Sequence, residues 1–205
     1  RIIERLGDPS APRAVSLIAI HQHGIPDEFP EAVLREAEAA APAPMKERED
    51  LRDLPLVTID PSDARDHDDA VAAEIEEDGG ASIWVAIADV AHYVRPGSAL
   101  DREAWKRGNS TYFPDRVVPM LPEALSADLC SLHEHVDRPV IAVRMRLDAQ
   151  GNKTGHRFYR GIMKSRASLS YEQAQAAADG APDAATEPLM DEVIKPLWHA
   201  YGLLK

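Results

Sequence analysis

The stretch LVTIDPSDARDHDDAVAAEIEEDGGASIWVAIADV, residues 56–90, decides the fold of this protein. Its apolar and β-branched segments predict three strands, separated by an aspartate-rich loop and by a glycine turn. We place the strands at residues 56–60, 70–76 and 82–90, and the turn at Asp78-Gly79-Gly80. The third strand is apolar along nearly its whole length, which is typical of a strand buried on both faces.

The sequence further along the chain predicts a β-hairpin and several helices. Residues 140–147 alternate, so Ile141 and Val143 face one way while Arg144 and Arg146 face the other. A turn at 148–152 leads from this strand into another at 157–164. Helices are predicted at 29–38, from the capping Ser98 to Arg107, and at 122–129, 171–178 and 187–204. The predicted class is α+β, with a mixed, mostly antiparallel sheet flanked by helices.

The chain divides into three parts by composition. Residues 1–24 contain an apolar run at 13–20, which is a strand or a short helix near the end of an upstream module. Residues 25–53 hold a helix and an Ala/Pro-rich linker, and residues 54–205 form the main domain. The missing initial Met indicates that the chain is a piece of a longer protein.

The bulk composition excludes several classes of protein. The sequence has no run of about 18 apolar residues, so no membrane span is indicated. The N-terminus lacks the layout of a signal peptide. Cys130 is the only cysteine, so no internal disulfide can form and a reducing compartment fits. We therefore expect a cytoplasmic protein.

The net charge of -12 lies entirely in residues 1–100, whereas residues 101–205 are balanced. Residues 138–166 hold eight basic side chains against one acidic side chain. An acidic site beside a basic strip suits a metal site next to a phosphate track. A solvated hairpin surface would give the same charges, and charge alone favours that alternative.

Five aspartates fall within the ten residues 60–69, between two predicted strands. Like charges this close repel one another, and a divalent cation would remove the repulsion. Carboxylate oxygens without cysteine or ordered histidine ligands favour Mg²⁺, with Mn²⁺ as an alternative. An EF-hand loop is disfavoured because its glycine and terminal glutamate are absent at the required spacing. A plain solvated acidic loop stays open as the alternative.

Metal-assisted phosphoryl chemistry needs carboxylates arranged in this way. Asp60 ends a strand, which suits a rigid ligand. Asp68 and Asp69 are adjacent, so they point to opposite faces in extended backbone and converge only at a turn.

An ordered series of motifs resembles the ribonuclease II / ribonuclease R family, and the likeness is closer to ribonuclease R. It covers roughly residue 50 to the end of the chain. The matching blocks are Thr58–Asp60, Ala64–Ala70, Trp84–Val90, Tyr93-Val94, Leu100-Asp101, Ser110–Pro114, Pro119–Ser126, Leu129–Leu132 and Asp137–Pro139.

The resemblance implies the N-terminal part of a catalytic RNB domain that hydrolyses single-stranded RNA from its 3′ end to nucleoside 5′-monophosphates. It implies that Asp60, Asp66, Asp68 and Asp69 form the Mg²⁺ site, with Asp66 and Asp68 catalytic and Asp68 the most sensitive to substitution. It also implies that Tyr112 holds the RNA 3′ end, for which stacking on a base is a plausible means. From its residue type alone, Tyr112 would be assigned to the core.

The resemblance also implies parts that lie outside this chain. The family's catalytic arginine and second clamping aromatic would follow Lys205, and residues 1–24 would be the end of a cold-shock-like barrel. Flanking oligonucleotide-binding domains and a monomeric state are expected. In the basic strip, Arg144, Arg146, Arg160 and Lys164 are candidates to follow RNA phosphates, and Arg144 and Arg146 are the predicted RNA-binding residues. The alternative functions are a non-catalytic RNA-binding module and a metal-dependent phosphatase. The side chain of His67 is expected to face either solvent or the metals.

Overall fold

The computed structural model describes residues 14–205, which separate into two compact units. The first unit holds residues 14–40 and 93–126, and the second holds residues 41–92 and 127–205. The helices are α1 (Ala14–His23), α2 (Glu31–Glu38), α3 (Ala99–Arg107), α4 (Tyr171–Ala178) and α5 (Lys195–Leu204). The strands are β1 (Glu49–Asp50), β2 (Thr58–Asp60), β3 (Asp69–Ile75), β4 (Ala81–Ala88), β5 (Thr111–Phe113), β6 (Arg116–Val118), β7 (Asp137–Leu147), β8 (Lys153–Lys164) and β9 (Ser168–Ser170).

In the first unit, a carboxylate of α2 accepts hydrogen bonds from backbone amides at the start of α3. Ser98 caps α3 as predicted, because its side chain accepts a hydrogen bond from the Asp101 amide. The Glu36 carboxylate of α2 accepts two more hydrogen bonds, from the amides of Ala99 at 2.8 Å and Leu100 at 3.1 Å. Amides that lack partners inside the helix are thus satisfied, and the negative charge lies at the positive end of the helix dipole. β5 and β6 form an antiparallel hairpin in the same unit.

The second unit is built on a five-stranded sheet with the order β1-β8-β7-β4-β3. β1 pairs with β8 in parallel, and the other neighbours are antiparallel. β2 and β9 form a separate parallel pair, and a bridge between Val57 and Val71 links it to the sheet. This arrangement confirms the predicted α+β class with a mixed, mostly antiparallel sheet.

Two apolar clusters form the core that supports the second unit. Val57 and Leu169 pack with residues of α4 and of the segment before α5, including Val193 and Ile194. The second cluster places Ala200 of α5 against side chains of the sheet. Removing these side chains from water is the main favourable term for folding.

The C-terminal helix differs from the prediction of one continuous helix over 187–204. The segment contains a 3₁₀ turn at Glu187–Leu189 and a π-helical stretch at Met190–Ile194, and only then the α-helix α5. Pro196 has no amide hydrogen to donate to the carbonyl four residues earlier, which disfavours continuous α-helical bonding here. The predicted helix at 122–129 likewise contains a π-helical turn, at Leu125–Leu129.

The other boundaries shift by a few residues. β7 and β8 begin earlier than predicted, so their hairpin is longer on both sides of the turn at 148–152. Of the two alternatives for residues 13–20, the helix is observed from Ala14 onward. Residues 1–13 lie outside the described residues, and the assignment of 1–24 to an upstream barrel stays a prediction.

Candidate functional site

The aspartate-rich loop connects β2 to β3 and is fixed at several points. The Ser131 hydroxyl accepts a hydrogen bond from the His67 amide and donates one to the Arg65 carbonyl, each at 3.0 Å. The Leu132 amide donates to the His67 carbonyl, and the Ala88 amide donates to the Asp68 carbonyl, each at 2.9 Å. The loop is therefore anchored through its backbone at Arg65, His67 and Asp68.

Asp60 and His67 form a contact that the sequence did not specify. The Asp60 Oδ2 atom lies 2.7 Å from His67 Nδ1, and both side chains are largely buried. The His67 ring therefore does not face solvent. It holds Asp60 in one orientation at the end of β2.

The pKa values of the neighbouring carboxyls show how crowded the loop is. Burial, followed by the negative charges of Asp66, Asp69 and Asp60, raises the pKa of Asp68 above its ordinary value. Burial and then Asp60 raise the pKa of Asp69 in the same way. Negative charge is thus concentrated here, and a cation would lower its energy.

The aspartate loop has ligands suited to a divalent cation, but it does not gather them around one ion. The donor set fits in its chemistry, because carboxylate oxygens are the ligands of Mg²⁺ and Mn²⁺. The side chains as placed are not gathered around one point. Within residues 14–205, no group of three or more histidine, cysteine, aspartate or glutamate side chains is placed to hold one ion. Asp60, Asp66, Asp68 and Asp69 are close enough to influence one another, but the metal site itself stays a prediction.

The predicted RNA-binding residues lie in different places. Tyr112 is in β5 of the first unit and is 64% exposed, so it is not a core tyrosine. Arg144 and Arg146 lie on β7 of the second unit, where both approach Glu76 on their own sheet face at 3.6 Å and 3.9 Å. Arg144 also approaches Glu74 at 3.8 Å.

Sequence reasoning missed an aromatic side chain beside the aspartates. In the β2–β9 pair, Asp60 is the register partner of Ser170. Tyr171 follows directly and is 56% exposed. It begins α4, where Ser170 forms a capping box with Gln173. The capping pattern predicts the helix, but only the strand pairing brings Tyr171 to the Asp60 strand.

Cys130 is buried, and it lies close enough to Asp68 to be affected by it. Burial, followed by the Asp68 charge, raises the pKa of the Cys130 thiol to about 12. The thiolate that would act as a nucleophile is therefore disfavoured, which supports a packing role.

Comparison with known families identifies the class of domain to which this fold and the aspartate loop belong. The family model for the RNB domain matches residues 48–204, so the chain belongs to the RNB domain family. Ribonuclease R of Acidithiobacillus ferrooxidans is 49% identical over 210 residues, covering 98% of this chain and 47% of the relative. Ribonuclease R of Escherichia coli (strain K12) is 46% identical over 187 residues, covering 89% of this chain and 23% of the relative.

A solved structure shows the same fold. Mycoplasma genitalium RNase R in complex with double-stranded RNA matches with a TM-score of 0.90 and 30% identity, covering 97% of this chain and 36% of that one. The present chain thus spans less than half the length of each of these relatives. Within residues 14–205, no helix is both long enough and apolar enough to cross a bilayer.

Proposed function

We propose that this protein is the N-terminal part of the catalytic domain of a 3′-to-5′ exoribonuclease, which hydrolyses single-stranded RNA to nucleoside 5′-monophosphates with Mg²⁺. The observation that carries the proposal is the RNB domain match over residues 48–204, which includes the whole aspartate loop. The raised pKa values of Asp68 and Asp69 support it, because they identify a place where a cation would be stabilising.

In this proposal, Asp60, Asp66, Asp68 and Asp69 hold Mg²⁺, or Mn²⁺ in its place. The bound metal would neutralise phosphate charge and activate water. The protein's own contribution is to fix the loop backbone through Ser131 and to orient Asp60 through His67. Both contacts fix the loop backbone and Asp60 before any ligand binds, which lowers the cost of ordering them. The carboxylates of Asp66, Asp68 and Asp69 would still have to converge on the ion.

Two exposed tyrosines are the proposed contacts with RNA. Tyr112 is exposed, and in this proposal it stacks on a base at the 3′ end. Tyr171 is exposed beside the Asp60 strand and is a second candidate for contact with the terminal nucleotides. A monomeric state, a cytoplasmic location and flanking oligonucleotide-binding domains stay predictions.

The test is degradation of a uniformly labelled single-stranded RNA by the full-length protein, with Mg²⁺ and with EDTA, with the products separated by chromatography. We expect mononucleotide release that requires Mg²⁺ and that falls by about a hundredfold or more in Asp68→Asn, because a metal contributes several kcal/mol to transition-state stabilisation. Asp63→Asn is the matched control: it removes the same charge from the same loop, at a residue outside the proposed ligand set. Release that persists in Asp68→Asn would overturn the proposal.

A non-catalytic RNA-binding module is the second candidate. The observation that favours it is the absence, among residues 14–205, of three potential ligands placed around one ion. RNA binding in EDTA without any hydrolysis in Mg²⁺ or Mn²⁺ would select this candidate.

A further inference from the structure

One row of side chains crosses the five-stranded sheet from the aspartate loop to the opposite side. Asp69 of β3 pairs with Ile87 of β4, Ile87 pairs with Ile141 of β7, and Ile141 pairs with Arg160 of β8. Register partners project from the same side of a sheet, so these four side chains share one surface, here called the Asp69 face. Three strand spacings separate the ends of the row, which places Asp69 and Arg160 about 14 Å apart.

The middle of this row is apolar and exposed. Ile87 is 47% exposed and Ile141 is 40% exposed, although both belong to central strands. Phe158 is two residues before Arg160 on β8, so it lies on the same face, and it is 67% exposed. α5 packs on this face further along the strands, against Ala73 and Ile83, and leaves this end of it open. An exposed aromatic ring beside aliphatic side chains offers a stacking surface for nucleobases.

Arg160 is held in place at the end of the row. Its Nε atom donates to Asp89 Oδ2 at 2.9 Å. Asp89 is 3% exposed and accepts a second hydrogen bond from the buried Arg48 at 2.7 Å. The Nη groups of Arg160 have no hydrogen-bond partner among residues 14–205, and half of the side chain is exposed. Two arginines and one aspartate carry a net charge of +1, which reaches the surface only at Arg160.

The opposite face of the same sheet carries its own charged side chains. Arg144 and Arg146 lie there with Glu74 and Glu76. These two positive and two negative charges cancel. The exposed Arg157 is the register partner of Arg144 and lies on the same face, so it is the cation that tests whether RNA binds there instead.

We infer that Arg160 binds a backbone phosphate of single-stranded RNA, with Asp89 as its positioning residue, and that Phe158, Ile87 and Ile141 carry the adjoining nucleotides. This inference rests on the proposed function and deepens it by naming the RNA track. The track runs along the Asp69 face, from the aspartate loop to Arg160. The guanidinium is suited to the role because it is planar, always charged and already oriented.

The test measures binding of a labelled oligoadenylate by fluorescence anisotropy in EDTA, so that hydrolysis plays no part. The affinity is measured at several salt concentrations for the parent chain, Arg160→Gln and Arg157→Gln. Arg157 is the matched control because it lies three residues away on β8, is exposed and belongs to the opposite face. Each phosphate contact to a single strand contributes about 0.7 to the slope of log affinity against log salt. We expect Arg160→Gln to reduce the slope by that amount and Arg157→Gln to leave it unchanged.

Two further variants separate charge from position. Arg160→Lys keeps the charge but loses the Nε hydrogen bond to Asp89, so we expect a parental slope with weaker binding. Phe158→Ala should weaken binding by at least about fivefold without changing the slope. Asp89 retains Arg48 in both Arg160 variants, so no buried charge is left without a partner.

A measurement on the unaltered protein is independent of any variant. RNA should protect Arg160 from phenylglyoxal, as mapped by peptide mass spectrometry, and should not protect Arg157. Equal slopes for Arg160→Gln and the parent chain, or a slope change at Arg144→Gln instead, would overturn the inference. Parental affinity in Arg160→Lys would overturn the positioning role of Asp89. These outcomes are independent of hydrolysis, so a failed RNA track with intact RNA degradation is distinguishable from a failed proposed function.

Discussion

Asp89 and the aspartate loop place the same residue type in opposite electrostatic surroundings. Asp89 is buried, and the hydrogen bonds from Arg48 and Arg160 outweigh that burial and hold its pKa below the ordinary value. Asp68 and Asp69 have other carboxylates as neighbours, and their pKa values are raised. Buried charge is tolerated where a partner of opposite sign is built in. Asp68 and Asp69 are more exposed and are repelled by neighbouring carboxylates, so a bound cation would lower their energy. This contrast distinguishes a structural aspartate from a candidate functional one.

The largest effect on stability is expected from removing the charge of Asp89, the aspartate that is paired with arginines. Asp89→Asn should lower the free energy of unfolding by about 3–5 kcal/mol, because it leaves the buried Arg48 without a charged partner. Urea denaturation of the metal-free protein measures the change. Asp69→Asn is the control, and it should cost no stability, because it removes a repelled charge rather than a paired one. Equal losses in the two variants would refute the contrast.

The second-largest effect on stability is expected when a divalent metal ion is added to the aspartate loop. Mg²⁺ or Mn²⁺ at about a hundred times its dissociation constant should stabilise the folded protein by about 2.7 kcal/mol. Thermal melting with and without EDTA detects the shift. Asp68→Asn should reduce the shift and Asp63→Asn should keep it. If neither metal changes the melting temperature of the parent protein, the prediction of a metal site is wrong.

The third prediction uses pH in the absence of metal. The pKa values of Asp68 and Asp69 are raised on folding, so the folded state binds more protons than the unfolded state between the unfolded and folded pKa values. Stability should therefore rise as the pH falls through the folded pKa of these carboxyls. The lowered pKa of Asp89 acts in the opposite sense, since its contribution is lost once the pH falls through its own folded pKa.

Denaturant unfolding at a series of pH values checks this prediction. Asp68→Asn should flatten the rise, while the loss at the lowest pH should remain. A stability that falls steadily from neutral pH downward in the parent protein would show that repulsion in the loop is relieved in some other way.

The smallest effect is expected for carboxylates that are paired but exposed. Glu74 lies 3.8 Å from Arg144, and both side chains are well exposed. Glu74→Gln should cost less than about 1 kcal/mol, because solvent weakens such pairs. The same urea experiment measures it, and a loss as large as that for Asp89→Asn would mean that burial is not what separates the two pairs.

The sequence predicted the local elements well. Alternation placed Ile141 and Arg144 on opposite faces of one strand, as observed. The Ser98 cap was also correct. These features depend on residues a few positions apart, whose geometry is the same in any fold. The π-helical stretch before α5 was not predicted, because hydrophobic periodicity does not distinguish it from an α-helix.

The sequence by itself determined the strand–loop–strand unit, the crowding of five aspartates within it and the family to which the chain belongs. Only the tertiary structure decided which charges meet. Arg48 and Arg160 lie 41 and 71 residues from Asp89, and Ser131 lies 64 residues from His67. The physical reason is that a hydrogen bond between distant residues depends on strand register and packing, which the whole chain sets together. The same reason explains why Arg160, rather than Arg144, shares a face with Asp69.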